Sequence, residues 1–250
     1  MNSLFLSLLI PFLAGISTIL GYFPTYISEK YQDTVIGVSL AFSAGVMLCI
    51  SFFSLLPEAL HTLPIEQKSL TFFIILLLSI LGMILSSSID YQISKHEQKS
   101  KLYQLGIFSV ITLILHNIPE GITTFLTTTS NLKLGISLSL AIALHNIPEG
   151  IAIAVPIFYS TGNRRKAFFY TTISGFSEFL GALFALFFLK NVLNAFLLAA
   201  ILAATAGVMI HLSITELIPN AFDYINLKKM LWAFLWGFAV MIICIFIFHI

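Results

Sequence analysis

Eight long apolar stretches, each about 20 residues or more, constrain this chain more than any other feature of its sequence. A helix needs roughly 20 mostly apolar residues to cross a bilayer. Only 9% of the 250 residues are charged and 58% are hydrophobic, whereas a soluble domain carries about 25% charged residues. No soluble fold of this length hides so much apolar surface, so lipid must solvate much of it. The sequence therefore predicts an all-α membrane protein with eight transmembrane helices, over residues 4–26, 35–57, 69–90, 105–128, 134–159, 167–189, 194–219 and 230–249.

Composition also excludes several classes of protein. The first apolar stretch has no basic segment before it and is too long for a signal peptide, so we interpret it as a span. Cys49 and Cys244 both lie inside apolar stretches and do not form a disulfide framework. The net charge of +1 gives no indication of nucleic-acid binding. Because the turns between spans are short, we expect a single transmembrane domain over residues 1–250.

The basic residues predict the orientation in the membrane. Alternate loops of the predicted topology hold nine of the twelve Lys and Arg residues, and every basic residue lies outside the spans. The positive-inside rule places these loops in the cytoplasm. Both termini are then outside the cell, with the chain in the plasma membrane. The nine residues are Lys30, Lys95, Lys99, Lys101, Arg164, Arg165, Lys166, Lys228 and Lys229; the others are Lys68, Lys133 and Lys190.

Two internal repeats indicate an inverted architecture. The octapeptide Leu-His-Asn-Ile-Pro-Glu-Gly-Ile occurs at 115–122 and again at 144–151, in consecutive and therefore antiparallel spans. Ala-Gly-Val-Met at 44–47 recurs at 206–209, and the Gly-x-Ser-x-x-Leu-Gly pattern that begins at Gly15 recurs from Gly175. The starts of the two copies are five spans apart, and an odd number of spans gives the copies opposite orientations in the membrane. We predict a 3+2+3 bundle in which inverted repeats 1–90 and 167–250 flank a central helix pair over 105–159, with a binding site near the midplane.

Ionisable residues inside the spans are functional-site candidates because they are costly at that depth. All of them are acidic residues or histidines, with no Lys or Arg beside them in a span. Carboxylates in such surroundings must be protonated or neutralised by a cation. This pattern favours a cation pathway. The candidates are His116, Glu120, His145, Glu149, Glu178, His211 and Glu216.

The spacing within the octapeptide predicts a metal site. At about 100° per residue, Glu120 lies between His116 and Asn117 on one helix face. The second copy repeats this arrangement with His145, Asn146 and Glu149. A carboxylate between an imidazole and an amide oxygen suits two ions: zinc on the histidine side and a harder ion on the all-oxygen side. A two-ion site is therefore a hypothesis from spacing alone.

The remaining candidates come from spans six and seven. Glu178 lies among small residues and is expected to join the site; its counterpart in the first repeat is Thr18. His211 and Glu216 are five residues apart, which places them about 140° apart on a helix, so they do not easily bind one ion together. Metal ligation and a supporting role along a metal pathway both remain open for these two residues.

These motifs resemble those of the ZIP family of metal transporters over essentially the whole chain. The resemblance rests on the two His-Asn-Ile-Pro-Glu-Gly motifs, on Ser-Gly-Phe-Ser-Glu at 174–178 and on the eight spans, and it is closest to the bacterial zinc-uptake branch. It implies a plasma-membrane homodimer that imports zinc into the cytoplasm, with iron(II) and other divalent transition metals as further substrates and no resident cofactor. It also implies zinc ligation by Glu120, His145 and Glu149, iron-type ligation by Asn117, Glu120, Asn146, Glu149 and Glu178, and a further ligand in His116. The loop 91–104 lacks the histidine cluster that many members carry.

Other functions need different residues. A metalloprotease would have His-Glu-x-x-His, in which the Glu acts as general base. The residue after each histidine here is Asn, which cannot take that role, so we do not expect an enzyme. A cation or proton exchanger and a channel both remain open, because the sequence does not exclude proton coupling or simultaneous opening of both gates.

Overall fold

The computed structural model describes residues 2–27, 29–63, 67–96, 100–189 and 194–248. Lys99 and Lys190, which contribute to the predicted topology, lie outside these ranges. The described residues are almost entirely helical and include no strand, and eight helical segments are long and apolar enough to cross a membrane. The predicted fold class and span count are confirmed. The eight are α1, Asn2–Ser17 continued by a 3-10 helix over Thr18–Tyr26; α2, Gln32–Ile50, Ser51–Leu55 and Leu56–Thr62; α3, Lys68–His96; α4, Lys101–Ser130; α5, Leu132–Thr161; α6, Arg164–Phe184 and Ala185–Leu189; α7, Ala195–His211, Leu212–Leu217 and Ile218–Phe222; and α8, Leu227–Phe248.

Short polar side chains fix several helix ends. Ser100, Asn163 and Asn194 each accept a hydrogen bond from the backbone N–H three residues later, at 3.3, 3.1 and 2.8 Å. Such N-caps satisfy N–H groups that have no partner within the helix. Gly162, with φ of 65°, follows the last residue of α5 in the left-handed conformation that commonly ends a helix. These signals explain why α4, α6 and α7 begin where they do and why α5 ends before the loop to α6.

Two helices contain a π-helical turn at corresponding positions. The turn covers Ser51–Leu55 in α2 and Leu212–Leu217 in α7, and each is followed by a short α-helix whose second residue is proline. The sequence repeat pairs Ser51 with Ser213, so the two turns fall at matched places. π-turns are rare and concentrate at functional sites.

Glycines allow two matched helix contacts at the periphery. A Cβ on Gly45 of α2 would overlap the carbonyl oxygen of Phe234 in α8, and a Cβ on Gly207 of α7 would overlap that of Ser79 in α3. Small residues of this kind let membrane helices approach closely. The packing of α2 on α8 is therefore matched by that of α7 on α3, as the inverted-repeat prediction requires, although the repeat itself stays a prediction.

The motif helices form the centre of the bundle. In the most apolar window, 67% of α4 and 65% of α5 are buried, against 22% of α3 and 17% of α8. Helices α1 and α6 pack against α4 and α5. Only α2, at 72%, is more buried, so the two copies of the octapeptide lie in helices that are well shielded from lipid.

Candidate metal centre

Seven of the predicted site residues are buried side chains on α4, α5 and α6. Each is at most 7% exposed. The helical period brings the His, Asn and Glu of each octapeptide to one face, and the packing of α4 against α5 makes these two faces meet. We call the seven residues the seven-residue site: His116, Asn117, Glu120, His145, Asn146, Glu149 and Glu178.

The histidines and two glutamates form one contact group. His116 Nε2 lies 3.0 Å from Glu120 Oε1 and 3.2 Å from Glu149 Oε1. His145 Nε2 lies 2.8 Å from the same oxygen of Glu120. Glu120 therefore contacts histidines from both motifs, and His116 contacts glutamates from both motifs. Two antiparallel copies of the octapeptide at the same depth in the bundle produce this cross-pairing.

Three of these side chains can offer ligand atoms to one ion. One atom each from His116, His145 and Glu149 lies within 4.8 Å of the other two. Zinc sites in proteins combine imidazole nitrogen and carboxylate oxygen at about 2.0–2.2 Å from the metal. Atoms that share an ion at such distances lie within a few ångströms of one another, so this group is compatible with one zinc ion.

The two asparagines are held by the neighbouring outer helices. Asn117 Nδ2 donates to the carbonyl oxygen of Ser174 in α6 at 2.9 Å. Asn146 Nδ2 donates to the carbonyl of Ala14 in α1 at 3.0 Å and to Glu178 Oε2 at 2.8 Å. Because the amide nitrogens are fixed in this way, both amide oxygens are left as acceptors.

Every member of the seven-residue site carries a buried polar atom that makes no hydrogen bond within the described part of the chain. Leaving such an atom without a partner costs about 1–3 kcal/mol, so buried polar groups are nearly always bonded. Seven neighbouring cases indicate a site built to bind something polar. The atoms are His116 Nδ1, Asn117 Oδ1, Glu120 Oε2, His145 Nδ1, Asn146 Oδ1, Glu149 Oε2 and Glu178 Oε1.

The charge of the site indicates the kind of ligand that these atoms suit. Glu120, Glu149 and Glu178 are close enough to interact electrostatically. Among the described residues, the ion-pair partners of Glu120 and Glu149 are histidines, and the sequence offers no Lys or Arg at this depth. Three buried carboxylates are costly unless a positive charge compensates them. A divalent cation would supply that charge, and carboxylate and amide oxygens such as those left without partners are suitable ligands for it.

The structure places His211 and Glu216 in a different contact group. His211 Nδ1 lies 3.1 Å from Ser86 Oγ on α3, and the imidazole ring packs edge-on against Phe108 of α4. Glu216 is half-buried and accepts a hydrogen bond from Asn220 Nδ2, 3.4 Å from its carboxylate. Within the described residues, neither makes a hydrogen bond or ion pair with the seven-residue site.

Sequence reasoning missed two polar residues of α3 that face this second group. Ser86 contacts His211, and Asp90 interacts electrostatically with both His211 and Glu216. Asp90 is the last residue of the predicted third span, where an acidic residue is easily taken for the start of a loop. Its relation to α7 depends on the packing of α3 on α7, which no local pattern reveals.

Sequence comparisons match this chain to zinc transporters. The family model described as "ZIP Zinc transporter" matches residues 85–245. A zinc transporter ZupT of Streptococcus mutans is 35% identical over 98% of both chains, and one of Chlorobium chlorochromatii is 35% identical over 94% of both. A ZupT of Salmonella heidelberg is 40% identical over 86% of both chains. These relatives are named as transporters, which confirms the interpretation that the chain is not an enzyme. The chain belongs to the ZIP zinc transporter family.

Proposed function

We propose that this protein imports zinc into the cytoplasm through the seven-residue site, with iron(II) and other divalent transition metals as further substrates. One observation carries the proposal: seven buried side chains from three helices each present a polar atom without a hydrogen-bond partner at the place where the two motifs meet. The names of the ZIP and ZupT relatives agree with zinc as the substrate.

The histidine side of the site is the zinc position in this proposal. His116, His145 and Glu149 offer three ligand atoms close together. Glu120 contacts both histidines, so it either joins as a fourth ligand or holds their rings in place. Zinc is usually four-coordinate, and imidazole nitrogen and carboxylate oxygen are among its usual ligands.

The oxygen side is a second position for a harder ion. Asn117 and Asn146 present amide oxygens, and Glu178 presents the carboxylate oxygen that Asn146 does not contact. All-oxygen sets favour manganese and related ions over softer ones. With neutral histidines, the three carboxylates leave a net charge of −1 with one divalent ion and +1 with two. Neither occupancy leaves a large uncompensated charge in the membrane interior.

The proposed direction of transport rests on the family resemblance and on the membrane potential. Each elementary charge moved inward gains about 2.3 kcal/mol per 100 mV of inside-negative potential, so a divalent ion gains about twice that. The distribution of Lys and Arg supports cytoplasmic loops at 27–34, 91–104, 160–166 and 220–229, with both termini outside the plasma membrane. Labelling of single introduced cysteines in intact cells tests this orientation, because the native Cys49 and Cys244 are buried. The loop 160–166 is cytoplasmic in this proposal, so a cysteine introduced at Gly162 should not react with a reagent that cannot cross the membrane. Reaction at this position would contradict the proposed topology.

The site is tested by radiolabelled zinc uptake into proteoliposomes. Glu149→Ala removes a fully buried carboxylate of the zinc position, and Glu58→Ala removes an exposed carboxylate beyond the second predicted span. We expect saturable uptake by the native protein and by Glu58→Ala, loss of uptake in Glu149→Ala, and competition by iron(II) and manganese. Unchanged uptake in a folded Glu149→Ala protein would overturn the site. Ion flux without any metal would instead favour a cation or proton exchanger.

We further propose that the protein is a homodimer, as the family resemblance implies. Helices α3 and α8 have the least buried spans and leave most of their apolar surface to lipid or to a second copy. Light scattering of the detergent-purified protein should give a protein mass of twice 27.7 kDa. A mass of one chain would contradict the dimer and leave the metal site unaffected.

A further inference from the structure

The outer helices α1 and α6 cross at a pair of matched glycines. A Cβ on Gly15 would overlap the carbonyl oxygen of Gly175, and a Cβ on Gly175 would overlap that of Gly15. The Cβ on Gly15 would also lie 3.2 Å from Cβ of Glu178, and the Cβ on Gly175 would lie 3.0 Å from Cβ of Thr18. Glu178 and Thr18 therefore flank the crossing on opposite sides at equivalent positions.

The same equivalence holds where α1 and α6 meet the motif helices. A Cβ on Gly121 of α4 would overlap the carbonyl oxygen of Glu178, and a Cβ on Gly150 of α5 would overlap that of Thr18. The asparagine contacts match as well, since Ser174 accepts from Asn117 and Ala14 accepts from Asn146 at positions 160 residues apart. These two contacts between α6 and α4 therefore have counterparts between α1 and α5.

Thr18 is therefore the residue that stands where Glu178 would stand in the other half of the site. It is 0% exposed, and its hydroxyl makes no hydrogen bond within the described part of the chain. A Cβ on Gly175 would lie 3.0 Å from Thr18 Oγ1, which places this hydroxyl beside the residue that follows Ser174. Ser174 is the residue whose carbonyl fixes Asn117. The orphaned hydroxyl therefore lies at the crossing of α1 and α6, next to the backbone segment that fixes Asn117.

We infer that Thr18 is an eighth contributor to the metal site and helps to set its preference for hard ions. Glu178 contacts Asn146, and by the equivalence of the two halves we expect the shorter Thr18 side chain to face Asn117. A neutral hydroxyl adds an oxygen donor without adding a fourth carboxylate. Such a donor binds manganese or iron(II), directly or through a water molecule, and contributes little to zinc held by imidazoles. This inference rests on the proposed function, because it assigns a residue to the harder-ion position of that site.

Metal binding by the purified protein in detergent tests the inference independently of transport. Manganese binding is followed by electron paramagnetic resonance of the free ion, and zinc binding by equilibrium dialysis. Thr18→Val is nearly isosteric and removes only the hydroxyl; Thr18→Ser keeps the hydroxyl. Thr171→Val is the matched control, because Thr171 is also 0% exposed but its hydroxyl donates to the Ala167 carbonyl within α6.

We expect Thr18→Val to weaken manganese binding about fivefold, the effect of one lost neutral polar contact, with zinc affinity within about twofold. Thr18→Ser and Thr171→Val should bind both metals like the native protein. Unchanged manganese affinity in Thr18→Val would overturn the inference, as would an equal loss of both metals, which would indicate altered helix packing. A native protein that binds no manganese would overturn it as well. A native protein that binds manganese but no zinc would instead overturn the proposed zinc function and leave the role of Thr18 intact.

Discussion

Two glycines of the motif helices provide a matched pair of packing mutants. Gly121→Ala places a methyl group against the carbonyl oxygen of Glu178 in α6, and Gly150→Ala places one against the carbonyl oxygen of Thr18 in α1. Ordinary van der Waals contact begins at 3.4 Å, so each substitution must separate its two helices by at least about 1 Å. The two changes are chemically identical, and they differ in which outer helix they displace.

The structure gives the size of the effect. A shift of about 1 Å would stretch the hydrogen bond from Asn146 to Glu178 Oε2, now 2.8 Å, beyond the limit of about 3.5 Å. We expect both alanine variants to lose about 1–3 kcal/mol of stability from overpacking, or about 2–4 °C in Tm per kcal/mol. Only Gly121→Ala withdraws a carboxylate from the metal site. A lost charge-assisted contact of about 1.5–3 kcal/mol weakens metal binding about tenfold to a hundredfold.

Thermal unfolding with and without manganese, the ion assigned to the position of Glu178, separates the two effects. At a manganese concentration about 100 times the native Kd, bound metal stabilises the native protein by about 2.7 kcal/mol. For Gly121→Ala the same manganese should contribute only about 0.4–1.4 kcal/mol. Gly150→Ala should have a similar Tm without metal but a larger manganese-induced shift than Gly121→Ala. Equal manganese-induced shifts in the two variants would refute the claim that Glu178 is held in the site by this helix contact.

Three further predictions follow from individual contacts. Replacing Asn117 and Asn146 together by Leu removes both amide oxygens of the harder-ion position. Elemental analysis should then count one bound metal ion per protein instead of two. An unchanged count would argue against two ions. His211→Ala should leave the zinc Kd within about twofold, because His211 contacts Ser86 and not the seven-residue site, and residues without shared contacts act nearly independently. A tenfold loss of zinc affinity would make His211 part of the site. Lys166 Nζ lies 2.9 Å from Tyr103 Oη. A double-mutant cycle of Lys166→Met and Tyr103→Phe, measured by thermal unfolding, should therefore give a coupling free energy of about 0.5–1.5 kcal/mol. Zero coupling would show that this contact does not contribute to stability.

Local patterns in the sequence predicted the spans and the two motif helices. Apolar runs of span length report burial in lipid directly. The His-Asn-Ile-Pro-Glu-Gly spacing determines which side chains share a helix face, so the meeting of Glu120 with His116 and His145 follows once α4 and α5 pack together. Loop residues also begin or end several helices, as Ser100 and Gly162 show.

Contacts between distant helices could not be predicted in the same way. The carbonyls that fix the asparagines belong to Ala14 and Ser174, and nothing in the sequence marks a main-chain carbonyl as an acceptor. The electrostatic influence of Asp90 on His211 and Glu216 of α7 depends on the packing of α3. Thr18 was identified as the counterpart of Glu178 from the repeat, but only its burial and orphaned hydroxyl give that equivalence a chemical meaning.

The central claim is that the seven-residue site binds the transported ion, and the zinc X-ray absorption fine structure of the zinc-loaded, purified protein tests it most directly. The site predicts a first shell of nitrogen and oxygen at about 2.0–2.2 Å, with outer-shell scattering from imidazole that disappears in a protein carrying His116→Ala and His145→Ala. Zinc coordinated by sulfur at about 2.3 Å would place the ion at a cysteine or a methionine and not in the seven-residue site. That result, or an imidazole signal that survives the double substitution, would contradict the account.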